Sequence, residues 1–272
     1  MSDCNHNCSS CGKTCSDRKS MLATNNKFSN IKKIIAVTSG KGGVGKSMVT
    51  SLLAVSMMKK GYKVGILDAD ITGPSIPYSF GIHEQIYGTE DGMIPSQTKN
   101  GIKVVSINLL LDNPNDPVAW RGPILANAVK QFYTDVAWGD IDFLFVDMPP
   151  GTGDVALTVF QSLPVDETII VSSPQDMVKM IVGKAVKMCK MMNVNLLGLV
   201  ENMAYMICPC CNNPIYPFGP SKINEVAKSF NMRPLASLAI NPTLASYVDA
   251  GKIEEADVKE FDNIAAILEK LL

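Results

Sequence analysis

The chain has 272 residues, of which 46% are hydrophobic, and its 25 basic and 26 acidic side chains leave a formal charge of −1. That is enough apolar material for one large domain or two small ones, and the charge balance excludes a global field that would draw the protein to nucleic acid or an anionic membrane. No apolar run approaches the ~20 residues that span a bilayer, and the N-terminus is polar and Cys-rich rather than basic and then apolar, so the sequence reads as cytoplasmic.

Residues 1–30 are Asn, Ser, Lys and Cys with hardly any large apolar side chains, too few to offset the entropy of ordering. They are expected to form an extension, disordered or ordered by metal, ahead of a folded unit at 31–272. From Ile34 onward, short β-rich runs alternate with longer helical ones. The expected strands are IIAVT, KVGIL, KVVSI, DFLFVD, TIIVSS and LLGLV. Their nearly continuous apolar character suits strands covered on both faces, as in a parallel sheet. Helices are expected to start near Lys46, Pro123, Asp154, Met177 and Ser221, with a last one over 257–272. This alternation predicts an α/β fold, a doubly wound and mainly parallel sheet. The stretch 82–101 has no clear periodicity and reads as a surface insertion without chemistry. The last helix carries an acidic face, which argues against membrane targeting.

The run Gly40-Lys41-Gly42-Gly43-Val44-Gly45-Lys46-Ser47 satisfies G-x-x-x-x-G-K-[ST] and falls between the strand IIAVT and a helix. Small residues let backbone N–H groups turn inward on phosphates at a helix N-terminus, Lys46 supplies a positive charge, and the Ser47 hydroxyl is a magnesium ligand. The loop therefore predicts binding of ATP with magnesium. Asp68 and Asp70 end the second strand at the carboxyl edge of the sheet, where carboxylates can hold magnesium's water shell and orient an attacking water. Four apolar residues lead into Asp147 and then MPPGTGD, the pattern of a Walker B aspartate with a switch turn, in which Asp147 binds magnesium through water and the Gly151 N–H senses the γ-phosphate. Asp154 is expected to cap the next helix.

The KGGVGKS string resembles the deviant Walker A ATPases, the group of MinD, ParA and the nitrogenase iron protein. The resemblance implies that Lys41 reaches across a dimer interface to the partner's nucleotide, that Asp70 positions water with Asp68 in support, and that Asn202 reads adenine with its amide.

The eight cysteines fall mainly into two tight groups around a nucleotide-binding core that belongs in a reducing compartment, so metal ligation explains them better than disulfides. Cys208 and Cys211 form C-x-x-C, half of the four ligands that zinc or an iron–sulfur cluster needs. Another segment, or a second subunit across a two-fold axis, must complete such a site. The strings GKGGVGKS, DADITGPSIP, WRGP, DMPPGTGD and ENM followed by C-P-x-C together resemble the Mrp/ApbC iron–sulfur cluster carrier ATPases over residues 33–249. That family resemblance implies a 4Fe–4S cluster bridged by Cys208 and Cys211 of two protomers in a homodimer and passed to apo-proteins. Cys210, between them, is an extra thiol. Cys4, Cys8, Cys11 and Cys15 supply four thiolates within twelve residues, enough for a 4Fe–4S cluster, with zinc as the rival occupant. They resemble the Cys-rich extension of the family's cytosolic scaffold branch, although their spacing is more compact.

Two other functions compete. A positioning ATPase of the MinD or ParA kind would act on a membrane or DNA, but the chain lacks a basic amphipathic C-terminal helix and would leave both cysteine groups unexplained. A nucleotide-driven reductase would need cysteines near the switch regions, and none occurs between Cys15 and Cys189.

Overall fold

A computed structural model describes residues 22–70, 73, 75–111, 122–175 and 177–272. Along the chain these form β1 (Ser29–Ser39), α1 (Lys46–Lys59), β2 (Val64–Asp68), α2 (Ile76–Ser79), β3 (Gly88–Thr89), β4 (Gly92–Met93), β5 (Ser96–Gln97), β6 (Lys103–Val105), α3 (Gly122–Thr134), β7 (Gly139–Asp147), α4 (Asp154–Ser162), β8 (Glu167–Ser172), α5 (Val178–Met191), β9 (Asn195–Ile207), β10 (Pro214–Ile215), α6 (Ile223–Ser229), β11 (Pro234–Ala239), α7 (Pro242–Asp249) and α8 (Asp262–Glu269).

Nine strands make one sheet in the order β10-β9-β8-β1-β7-β2-β6-β5, with β11 also paired to β9. β1 lies between β7 and β8, β7 between β1 and β2, and all of these pairs are parallel, as are β2 with β6, β8 with β9 and β9 with β11. Within this sheet, among the described residues, antiparallel pairing enters only through the short β5 and β10. This is the mainly parallel α/β sheet that the alternating pattern predicts. The central strands are buried on both faces, so their apolar runs are continuous: Ile34 to Val37, Ile66 and Leu67, and Phe143 to Val146. Phe143 and Phe145 stack with centroids 6.5 Å apart, and Trp138 is fully buried with its indole N–H donating to the Phe132 carbonyl. Each such side chain contributes about 1.5–3 kcal/mol by leaving water.

All six expected strands are present, and the expected helices begin within two residues of their predicted starts, except the last. That segment breaks into a 3₁₀ turn at Lys259–Phe261 followed by the shorter α8. β11 was not expected, because it opens with Pro234 and is built from small residues that give little β signal. The 82–101 stretch also holds more structure than expected. It contains the β3–β4 hairpin and β5, each two residues long and too short to show periodicity. Residues before β1 are already tied to the body: the Ala23 N–H donates to the Ser162 carbonyl at 2.7 Å, and the Asn26 amide donates to the Asp91 carbonyl. Of the described residues, no helix is long and apolar enough to cross a membrane.

The topology gathers the site. In the parallel register Val37 of β1 and Asp68 of β2 both sit beside Asp147 of β7, so the loop leaving β1 and the two strand-end carboxylates meet at one edge of the sheet.

Candidate nucleotide site and cysteine hairpin

Residues 40–47 wrap the N-terminus of α1. Gly45 has φ 78°, a left-handed conformation, and a Cβ there would lie 2.3 Å from the Asn202 Nδ2. Gly40 is equally constrained by space, since its Cβ would stand 2.4 Å from the Ile181 carbonyl oxygen on α5. These two glycines let β9 and α5 close directly on the loop, which is why the sequence has no side chain there.

Lys46 is buried and its Nζ lies 2.9 Å from Asp147 Oδ1 and 3.5 Å from Asp70 Oδ2. The Ser47 hydroxyl donates to Asp147 Oδ2 at 2.6 Å, and the Thr50 hydroxyl donates to Oδ1 at 2.8 Å. Behind them Asp68 is almost wholly buried. It accepts from the Ser106 hydroxyl at 2.9 Å and from the Asp70 N–H at 3.1 Å. Burial, reinforced by the neighbouring Asp147 charge and opposed by Lys46, pushes the Asp68 carboxyl up to about 8. The structure thus brings Lys46, Ser47, Asp68, Asp70 and Asp147 together at one edge of the sheet. Sequence reading missed Thr50 and Ser106. Thr50 lies one helical turn after Lys46, a spacing that hints at a shared face, but nothing in the pattern marks Ser106.

The donor set fits magnesium and phosphate. A hydroxyl and carboxylates converge at a helix N-terminus, and Lys46 pairs with two of the carboxylates, Asp70 and Asp147. The Gly151 N–H donates to the Ser39 carbonyl at 2.9 Å, so phosphate contact there requires exchange of that bond. Lys41 has its carbonyl held by the Ser39 hydroxyl, while its Nζ donates to the Gln175 side-chain carbonyl. Asn202 is buried against the loop: its Nδ2 donates to the Val44 carbonyl at 2.9 Å, and its Oδ1 has no hydrogen-bond partner. A buried, unpaired acceptor is costly, and an incoming amino group would satisfy it. Asp154 is not the cap of α4; that position is Gly153, and the Asp154 carboxylate sits in the first turn, favourable to the helix dipole.

The cysteines Cys208, Cys210 and Cys211 follow β9 directly, in a hairpin closed by β10. The Cys208 N–H donates to the Asn213 carbonyl and the Asn212 N–H to the Cys208 carbonyl, both at 2.9 Å. Cys210 and Cys211 are exposed and Cys208 half-buried. The N–H groups of Cys210 and then Cys211, pointing at the Cys208 sulfur, hold its thiol below the usual range, as suits a thiolate ligand. Among the described residues no three His, Cys, Asp or Glu side chains surround a common metal position. Cys189 is fully buried and burial pushes its thiol to about 11, so it is core. Cys4, Cys8, Cys11 and Cys15 lie outside the described residues.

Comparison with known proteins places these features in a family. The model for ParA, the NUBPL iron-transfer P-loop NTPases, matches residues 30–272. The iron-sulfur cluster carrier protein of Clostridium perfringens is 48% identical over 242 residues, 86% of this chain and 84% of its own. The cytosolic Fe-S cluster assembly factor CFD1 of Kluyveromyces lactis is 40% identical over 237 residues, 84% of each chain. A nucleotide-binding protein of Archaeoglobus fulgidus, solved in complex with ADP, superposes with a TM-score of 0.77 at 42% identity, covering 85% of this chain and 91% of its own. With its phosphate loop, strand-end carboxylates and exposed cysteine hairpin on one sheet, the chain belongs to the NUBPL-type iron-transfer P-loop NTPases, the family of the iron–sulfur cluster carriers.

Proposed function

We propose that the protein is an ATP-hydrolysing carrier or scaffold that binds a 4Fe–4S cluster between the protomers of a homodimer and delivers it to apo-proteins in the cytoplasm. One observation carries the reading: the same strand, β9, supports the phosphate loop through Asn202 and runs directly into the half-buried Cys208 and the exposed Cys211. One protomer thus offers two of the four thiolates a cluster needs, and a two-fold axis through the hairpin supplies the others.

In this reading Lys46 turns from Asp147 to the β- and γ-phosphates when ATP enters. Magnesium, held by the Ser47 hydroxyl and through water by Asp147, would neutralise phosphate charge. Asp70 orients the attacking water, Lys41 reaches the partner protomer's nucleotide, and the unpaired Asn202 Oδ1 accepts from the adenine amino group. The Gly151 N–H leaves the Ser39 carbonyl for the γ-phosphate, which couples the 148–154 turn to nucleotide state. Cys4, Cys8, Cys11 and Cys15 form a second site, for a 4Fe–4S cluster or for zinc. Neither nucleic acid nor membrane is a partner.

Anaerobic reconstitution with iron and sulfide, metal analysis and transfer to an apo-protein, with and without ATP, test this. The parent should hold one bridging cluster per dimer, and Cys208→Ser with Cys211→Ser should lose it. Bridging iron that survives in that double variant rules out the assignment. Lys46→Ala should weaken nucleotide binding, whereas Lys41→Ala and Asp70→Ala should slow hydrolysis with binding retained.

A further inference from the structure

The loop between β8 and α5 places Gln175 against the phosphate loop. Its backbone is fixed: the Gln175 N–H donates to the Ser173 carbonyl and its carbonyl accepts from the Val178 N–H in the first turn of α5. α5 itself closes on Gly40 through Ile181. Gln175, Val178 and Ile181 line a small cavity with Gly40, Lys41 and Val44. Across it the Gln175 side-chain carbonyl accepts a hydrogen bond from Lys41 Nζ, while the Lys41 backbone is anchored by the Ser39 hydroxyl. A lysine that must reach another protomer is here bound within its own chain.

We propose that Gln175 is a positioning residue that holds Lys41 in cis, so that its release is a step in ATP-dependent dimer closure. The inference rests on the cross-dimer role of Lys41 given above. We take the two engagements of Nζ as alternatives, because reaching across to the partner protomer's phosphates draws the ammonium away from its own Gln175. The apparent dimer affinity is therefore scaled down in proportion to the fraction of Lys41 that is free. The contact is exposed, so the fraction held is modest, and removing it should shift the dimer equilibrium by about threefold. Glutamine suits the task. It offers Lys41 an acceptor without a full charge, whereas a carboxylate would hold the ammonium more tightly and oppose an incoming triphosphate.

The test compares full-length Gln175→Met, which keeps the chain length and removes the acceptor, with Gln175→Glu. Sedimentation with ATP and magnesium gives the protein concentration at half-dimer, and hydrolysis is followed over the same concentrations. Both substitutions are repeated in the Lys41→Ala background. The expected result is a half-dimer concentration about threefold lower for Gln175→Met and higher for Gln175→Glu, with neither shift once Lys41 is absent. Equal half-dimer concentrations for parent, Gln175→Met and Gln175→Glu overturn the proposal, as do shifts that persist without Lys41. If Lys41→Ala alone dimerises and hydrolyses like the parent, the cross-dimer reading has failed and this inference falls with it.

Discussion

Asp68 shows how a single residue acquires its chemistry from its surroundings. In the sequence it is one of two carboxylates in Asp-Ala-Asp. In the fold it is buried beside Asp147, and burial together with that neighbouring charge raises its carboxyl to about 8, which favours the protonated form. Its stabilising effect is complete below the ordinary carboxylate range near 3.8 and is lost as pH rises through about 8. Thermal unfolding of the nucleotide-free protein should therefore show stability declining between pH 5 and 8.5, and Asp68→Asn should flatten that decline; identical slopes for both proteins would show that Asp68 is ionised throughout. Gly45 is a second case. With φ 78° and Asn202 Nδ2 2.3 Å from any Cβ, Gly45→Ala must displace either the loop or the amide. It should lower stability by about 1–3 kcal/mol and weaken nucleotide binding, measurable by denaturant titration and calorimetry.

At the scale of elements, β9 is the strand that organises function. It pairs in parallel with β8 and β11, holds the phosphate loop through Asn202, and runs on into the cysteine hairpin. Glu201, just before Asn202, is almost wholly buried. It accepts from the Ser221 and Ser237 hydroxyls and, at 3.2 Å, from the Lys222 N–H, so it ties the chain returning from the hairpin, and β11, to β9. Removing the carboxylate breaks three hydrogen bonds to a buried charged acceptor and leaves its space empty, although the donors, on exposed Ser221, Lys222 and Ser237, can turn to water. Glu201→Ala should cost about 2–4 kcal/mol, read as a lower urea midpoint, while an exposed-residue effect under about 0.5 kcal/mol would mean that this network adds little. Sequence reading placed LLGLV as the strand but stopped it at Val200, because the polar pair Glu201-Asn202 ends the apolar run. The strand continues to Ile207 since both polar side chains find partners inside the protein.

For the whole molecule, the folding core and the cysteine hairpin are separable. The core is the sheet with its helices, whereas Cys210 and Cys211 are exposed and Cys208 only half-buried. Cys208→Ser with Cys211→Ser should leave the stability of the cluster-free protein, read from its thermal midpoint, unchanged within about 0.5 kcal/mol, even as it removes the proposed bridging ligands. A large loss of stability would show that the hairpin supports the fold. The candidate site was legible to different degrees for the same reason. The phosphate loop, Asp68, Asp70 and Asp147 are local patterns at strand ends, and parallel pairing brings strand ends together. Thr50, one turn after Lys46, leaves a faint local trace, but Ser106 and Gln175 lie in loops and no spacing relates them to Asp68 and Lys41.

By itself the sequence determined the alternation of buried strands and helices, the loop geometry that glycines at Gly40 and Gly45 permit, and the half-set of thiolates, because each depends on residue type and near neighbours. Only the tertiary structure decided which partners those groups meet. It put Asp68 out of water beside Asp147, turned Asn202 onto the Val44 carbonyl, and set Gln175 against Lys41. Protonation, desolvation and hydrogen-bond competition all follow from distances between residues far apart in the chain, and those distances exist only once the sheet is assembled.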